Sequence, residues 1–214
     1  RYSGQREIRF GTPADQRDQP QAQTLLACLV NTLVIRSDVD QRAPAEQLLT
    51  SLEADLRAAQ AHADLPFATL VGAVAQNRDL NRTPLFQVLF SLNYGRVDSS
   101  QWPGLNVEEQ MLPVIDAKFE QSWEVQDDGS DMTLALEYQS ALFDETTMQR
   151  WSAQWCALLD ALVATPWRTL VELFPQQQDQ QQLDRWNANE RHYSGPPNLH
   201  TARRQQAALS PNAP

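Results

Sequence analysis

The stretch Lys118–Tyr138, KFEQSWEVQDDGSDMTLALEY, decides the fold. From Lys118 to Val125 polar and apolar residues alternate, placing Phe119, Gln121, Trp123 and Val125 on one face and Lys118, Glu120, Ser122 and Glu124 on the other. A period of two is that of a half-buried strand. Met132, Leu134, Leu136 and Tyr138 repeat the alternation, and the intervening Asp127–Asp131 (DDGSD) supplies hairpin turn chemistry. Asp127, Asp128 and Asp131 also resemble a calcium cluster, but a turn between strands accounts for them better. The period then changes. Asp144 is a good N-cap for a long amphipathic helix with Met148, Trp151, Trp155, Leu158, Leu159 and Leu162 as its apolar stripe, and Pro166 stops it.

Upstream, the run REIRF (residues 6–10) reads as a short strand that Gly11, Thr12 and Pro13 end, opening a polar loop through Gln23. The apolar run Thr24–Asp38 reads as a buried strand. Pro44 and Glu46 suit a helix start, with Leu49, Leu52, Leu56 and Ala59 at helical spacing after them. A shorter helix carries Phe67, Leu70, Val71 and Val74, and PLFQVLFSL (residues 84–92) reads as another strand. After Phe174 the composition turns polar and rich in Gln and Pro, as in a linker. The expected organisation is one α/β domain over residues 1–174 and an extended tail over 175–214.

Composition removes several function classes. The chain of 214 residues carries 27 acidic and 17 basic groups, a formal charge of −10, and Lys118 is its one lysine. A polyanion is repelled on average, so nucleic acid is not an expected partner. No stretch is long enough to span a bilayer, and the start is not a signal peptide, so the reading is an intracellular, cytoplasmic fragment that begins inside a domain, with no membrane partner. Cys28 and Cys156 stand in apolar runs and read as buried reduced thiols. No phosphate-cradling loop or metal-ligand spacing appears. His62 precedes Asp64 by two residues; adjacent side chains on one loop rarely form a catalytic relay, so a structural role is favoured over catalysis.

Six segments, in order, resemble the condensation domains of nonribosomal peptide synthetases. They are YSGQREIRFGTPADQR (2–17), LLACLVNTLVIR (25–36), HADLPFATLV (62–71), NRDLNRTPLFQVLFSL (77–92), the pair AKFE (117–120) with LEYQSALFDETTMQRW (136–151), and RWNANERHYSGPPNLHTARRQQAALSPNAP (185–214). The resemblance implies an α+β two-layer sandwich, a chloramphenicol acetyltransferase-like lobe in which helices pack on a mixed sheet. It is similar to the family's C-terminal lobe, followed over 175–214 by a linker into an adenylation domain.

In that family the amine of one carrier-bound aminoacyl thioester attacks another, and amide bonds form. No cofactor binds the domain directly; substrates arrive on the phosphopantetheine of peptidyl carrier domains. The central histidine belongs to a His-His-x-x-x-Asp-Gly motif on the N-terminal lobe, and no His-His pair occurs in this sequence. The resemblance therefore assigns this chain no catalytic residue and makes that lobe, the carrier domains and an adjoining adenylation domain its partners. Residues from about Gly11 to Ala27 correspond to a loop flooring the substrate tunnel. Asn31 and Thr32 would face that tunnel, a structural hydrogen-bond network being the open alternative for Asn31. Residues from about Asn93 to Pro113 correspond to a latch crossing to the other lobe. His62 and Asp64 are motif positions, and Arg78, Asp79 and Arg82 are expected as an ion-pair cluster fixing a loop. An alternative function is a non-condensing domain of the same fold that recruits a partner protein; the adenylation-type linker argues against an epimerisation domain.

Overall fold

A computed structural model describes residues 2–17, 20–74, 82–95, 104–105, 116–174, 183–190 and 198–211. Two compact units are present, 1–174 and 175–214. The first is built on a five-stranded mixed sheet in the order β2-β1-β3-β4-β5. Its strands are β1 Glu7–Asp15, β2 Val30–Asp38, β3 Val88–Tyr94, β4 Gln121–Asp127 and β5 Met132–Tyr138. The β1–β2 and β4–β5 pairs are antiparallel, while β1–β3 and β3–β4 are parallel. The helices are α1 Ala45–Gln60, α2 Phe67–Val74, α3 Glu145–Ala164 and the short α4 Leu170–Leu173.

The hairpin forms as its alternation predicts. Trp123 pairs with Leu136 and Val125 with Leu134, so the apolar positions of β4 and β5 share a face. In the turn, Asp128 Oδ1 accepts from the amides of Ser130 (2.9 Å) and Asp131 (2.8 Å), and Gly129 takes the left-handed conformation at φ 85°. Helix α3 covers this face. Trp155 lies 5.9 Å from Trp123 and 6.5 Å from Phe90, ring centre to ring centre. Met148 is fully buried, whereas Leu159, expected in the stripe, turns toward solvent. On α1 and α2 the same happens to Leu49, at the margin of its apolar arc, and to Val74, the last residue of its helix.

Asp144 caps α3, accepting from the Thr147 amide at 2.7 Å and from the Thr146 and Thr147 hydroxyls at 2.6 and 3.0 Å. The Thr146 hydroxyl first, then the Thr147 amide and hydroxyl, holds the carboxyl at about 2. A lowered folded-state value stabilises the fold above the ordinary carboxylate range, about 3.9, and this contribution is lost as pH falls from there toward 2. The melting deficit of Asp144→Ala relative to wild type is therefore expected to be full at pH 7 and much smaller at pH 2. Asp144→Asn, still a capping residue but unable to titrate, should recover only part of the deficit at pH 7, and that part should persist toward pH 2. Equal deficits for Asp144→Ala at both pH values would rule the charged cap out.

Helix α1 starts without a side-chain cap, at Pro44. Its first amides are satisfied from a distance: Ala45 N–H donates to the Arg168 carbonyl and Glu46 N–H to the Pro166 carbonyl, both at 2.9 Å. Ala45 is completely buried there. The Val171 amide returns a hydrogen bond to the Gln41 carbonyl at 3.1 Å, and Pro44 bridges Thr169.

Four expectations are corrected. β1 does not end at Gly11–Pro13 but runs to Asp15, because β2 pairs with it throughout, Pro13 opposite Thr32. Only Val30–Asp38 of the Thr24–Asp38 run is strand; Leu25 and Leu26 are exposed, since no β1 residue pairs with them. Cys28 and Cys156 are exposed, one before the strand starts and one on the solvent side of α3. The tail is not wholly extended: it holds a helical turn over residues 183–187 and a helix Leu199–Leu209, whose N-cap Asn198 accepts from the Thr201 amide at 2.9 Å.

Candidate functional site

Asn31 lies on edge strand β2 beside the turn that joins α1 to α2. Its side-chain amide donates to the carbonyls of Ala63 (2.8 Å) and Leu65 (2.7 Å), and its oxygen accepts from the Phe67 amide (3.1 Å). Both donors are thereby used, and Asn31 caps α2 from outside the helix's own sequence. Gln16, just beyond β1, donates to the same Ala63 carbonyl at 2.8 Å. The segment carrying the motif positions His62, Asp64, Pro66 and Phe67 is thus fastened through the backbone of Ala63, Leu65 and Phe67, while the His62 and Asp64 side chains are exposed. Thr32 is half-buried and, as the next strand residue, points to the opposite face from Asn31. The two do not converge on one site.

Phe67 begins an aromatic cluster. Phe86, 1% exposed, lies 5.7 Å from Phe67 and stacks on Phe119 at 5.4 Å. Leu85, at φ 72°, occupies the left-handed region that non-glycine residues rarely adopt, immediately before Phe86. The ring of Phe86 lies against Gly11: a Cβ there would fall well inside van der Waals contact of three ring carbons. Gly11 is needed for space, since its backbone is ordinary extended strand.

Arg82 Nε is 2.9 Å from Glu120 Oε1, so this arginine ties the approach to β3 to the residue preceding β4. The Glu120 side chain is mostly buried and Arg82 half exposed, an arrangement that fixes loop geometry more than it adds stability. Arg78 and Asp79 lie outside the described residues, as does most of the expected latch: only Asn93–Gly95, Gly104 and Leu105 of it are described. Among the described residues no group of His, Cys, Asp and Glu could hold a metal ion, and no helix is long and apolar enough to cross a membrane.

Sequence reasoning did not foresee the roles of Gln16, Arg17, Gly11 and Glu120: Gln16, Gly11 and Glu120 act through partners distant in the chain, Arg17 through carbonyls 5 to 10 residues further on, and no local period marks them.

An open mixed sheet with helices packed on it, laced by Asn31 and Arg82, is the chloramphenicol acetyltransferase-like α/β class. The chain superposes on solved members of that class over most of its length. It matches the X-domain from teicoplanin biosynthesis with a TM-score of 0.71 at 19% identity, covering 79% of this chain and 40% of that one. It matches a four-domain nonribosomal peptide synthetase with a TM-score of 0.70 at 22% identity, covering 83% of this chain and 15% of that one.

Sequence makes the assignment specific: the condensation-domain family model matches residues 1–183, and the chain belongs to that family. Malpibaldin synthetase of Mortierella alpina is 33% identical over 216 residues, all of this chain and 4% of that protein. Gramicidin S synthase 2 of Brevibacillus brevis is 30% identical over 173 residues, 81% of this chain and 4% of that protein. The chain therefore spans a small fraction of the relatives it matches.

Proposed function

We propose that this chain is the C-terminal lobe of a nonribosomal peptide synthetase condensation domain, joined through residues 175–214 to an adenylation domain. The observation that carries the reading is the family match over residues 1–183, together with motif segments that interlock in space: Asn31 of the second holds the backbone of the third. In the proposed reaction the acceptor amine attacks the donor thioester carbonyl. A C–N bond forms, the C–S bond breaks, and the departing phosphopantetheine sulfur takes up a proton. The lobe contributes floor and walls to the tunnel between the two lobes. Its partners are the N-terminal lobe, which would carry the His-His motif, and the carrier domains. Asn31, by anchoring the α1–α2 turn, shapes the tunnel wall and leaves no amide donor free for substrate.

The test offers donor and acceptor aminoacyl-carrier proteins to this chain and to the synthetase polypeptide that contains it. Dipeptidyl product is expected from the polypeptide and none above the uncatalysed rate from the chain, which has no His-His pair to place a base beside the amine. Product from the chain itself, abolished by substituting one of its own residues, would overturn the division of labour.

A second reading is a non-condensing domain that recruits a partner. One structural neighbour, the X-domain from teicoplanin biosynthesis, was solved in complex with OxyB (TM-score 0.69, 18% identity). Failure of the whole polypeptide to make product, with retained capture of a partner protein, would favour it.

A further inference from the structure

The loop after β1 is organised by one side chain. Arg17 donates from Nη1 to the carbonyls of Ala22 (2.8 Å) and Leu25 (2.9 Å) and from Nη2 to that of Ala27 (2.7 Å). Its Nε lies 3.8 Å from Asp15 Oδ1. The Gln16 amide donates to the Leu29 carbonyl at 2.8 Å and closes the neck of the loop. Carbonyl dipoles that converge on one point repel one another unless a donor stands among them. A planar guanidinium, with five donors in a fixed fork, fits that place; an ammonium does not reproduce it. Apolar packing does not hold the loop, because Leu25 is exposed and Leu26 fully so. The order comes from Arg17.

The loop is also coupled to the α1–α2 turn. The Gln16 side chain shares the Ala63 carbonyl with Asn31, which in turn holds Leu65 and Phe67. Two side chains and one carbonyl thus link the neck of the loop, Gln16 and Leu29, to residues 63–67.

We propose that Arg17 is a positioning residue for condensation: it sets the shape of the loop from Pro20 to Leu29, and Gln16 with Asn31 makes that loop and the α1–α2 turn one mechanical piece. The link to the reaction rests on the condensation-domain reading above; the shape-setting does not.

The experiment uses the synthetase polypeptide carrying Arg17→Ala, Arg17→Lys or Gln16→Ala. Hydrogen exchange and dipeptide formation from loaded carrier proteins are both followed. In Arg17→Ala and Arg17→Lys the amides of Gln16, Leu25 and Ala27 should exchange at least about tenfold faster, the effect of losing one charge-assisted hydrogen bond. Amides of β4 and β5 should be unchanged. Turnover should fall in parallel, and added guanidinium ion should restore part of it to Arg17→Ala but not to Arg17→Lys, whose side chain fills the space. Gln16→Ala should speed exchange at Leu65 and Phe67 while Leu25 and Ala27 stay slow. Unchanged exchange at Leu25 and Ala27 in both Arg17 variants would overturn the shape-setting. Faster exchange with undiminished turnover would overturn the positioning role. A wild-type polypeptide that makes no product, with the exchange differences intact, would refute the condensation reading and with it the reaction role, leaving the shape-setting supported.

Discussion

Gly11→Ala is expected to destabilise the first unit by roughly 1–3 kcal/mol, the cost of overpacking a filled interior. Phe86→Ala should cost more, roughly 3–5 kcal/mol, through the cavity left between Phe67 and Phe119. The ring cannot retreat, since it is flanked by those two aromatics and almost wholly out of solvent. Nor can the backbone, because Gly11 pairs with Val34 of β2 and is the residue at which β1 registers with Leu89 of β3. The combination Gly11→Ala with Phe86→Leu should therefore cost less than the sum of its parts, the smaller side chain making room for the methyl group. Urea unfolding of the four proteins measures this. A neutral Gly11→Ala would mean that the ring moves aside freely and that the close approach carries no strain.

Trp155→Ala should be comparably damaging, roughly 3–5 kcal/mol, because the indole joins α3 to both Phe90 and Trp123. Leu159→Ala, one turn further along the same helix, is the control. Leu159 is 40% exposed, so its loss should be nearly neutral. Equal losses at the two positions would show that α3 presents a different face to the sheet.

The parts of the fold that can be read from the sequence are those whose cause is local. Alternation in Gln121–Asp127 and Met132–Tyr138, Asp128 in its turn and Asp144 before α3 each act within a few residues, and the structure has all of them. The run Leu25–Ile35 shows where local reading fails: most of it is apolar, but only Val30 onward has a partner strand, and composition does not encode pairing. The candidate site is the more hidden part. Asn31 is recognisable as a motif position, but its partners lie 32 to 36 residues away, and the residue type alone leaves two uses of its amide open. Arg17 closes the first motif segment, but nothing near it in the sequence tells that its guanidinium gathers the Ala22, Leu25 and Ala27 carbonyls. Gly11 reads as a strand terminator because glycine often serves that way; here it makes space for a ring.

The uncapped start of α1 has a consequence for how the unit assembles. A peptide spanning Ala45–Gln60 should be poorly helical by itself, with no side chain to hold its first turn and the usual cost of nucleation. Its missing acceptors, the Pro166 and Arg168 carbonyls, come from about 120 positions further along the chain. Helix α1 can be completed only after the end of α3 has come back to meet it, so this contact ties an early segment to a late one and raises the contact order of the whole. During synthesis α1 would leave the ribosome long before its acceptors exist, and a chain ending before Pro166 would carry an α1 with nothing to hold its start. The first unit is thus expected to gain and lose α1 together with the end of α3 as one cooperative block, with no stable half-built form.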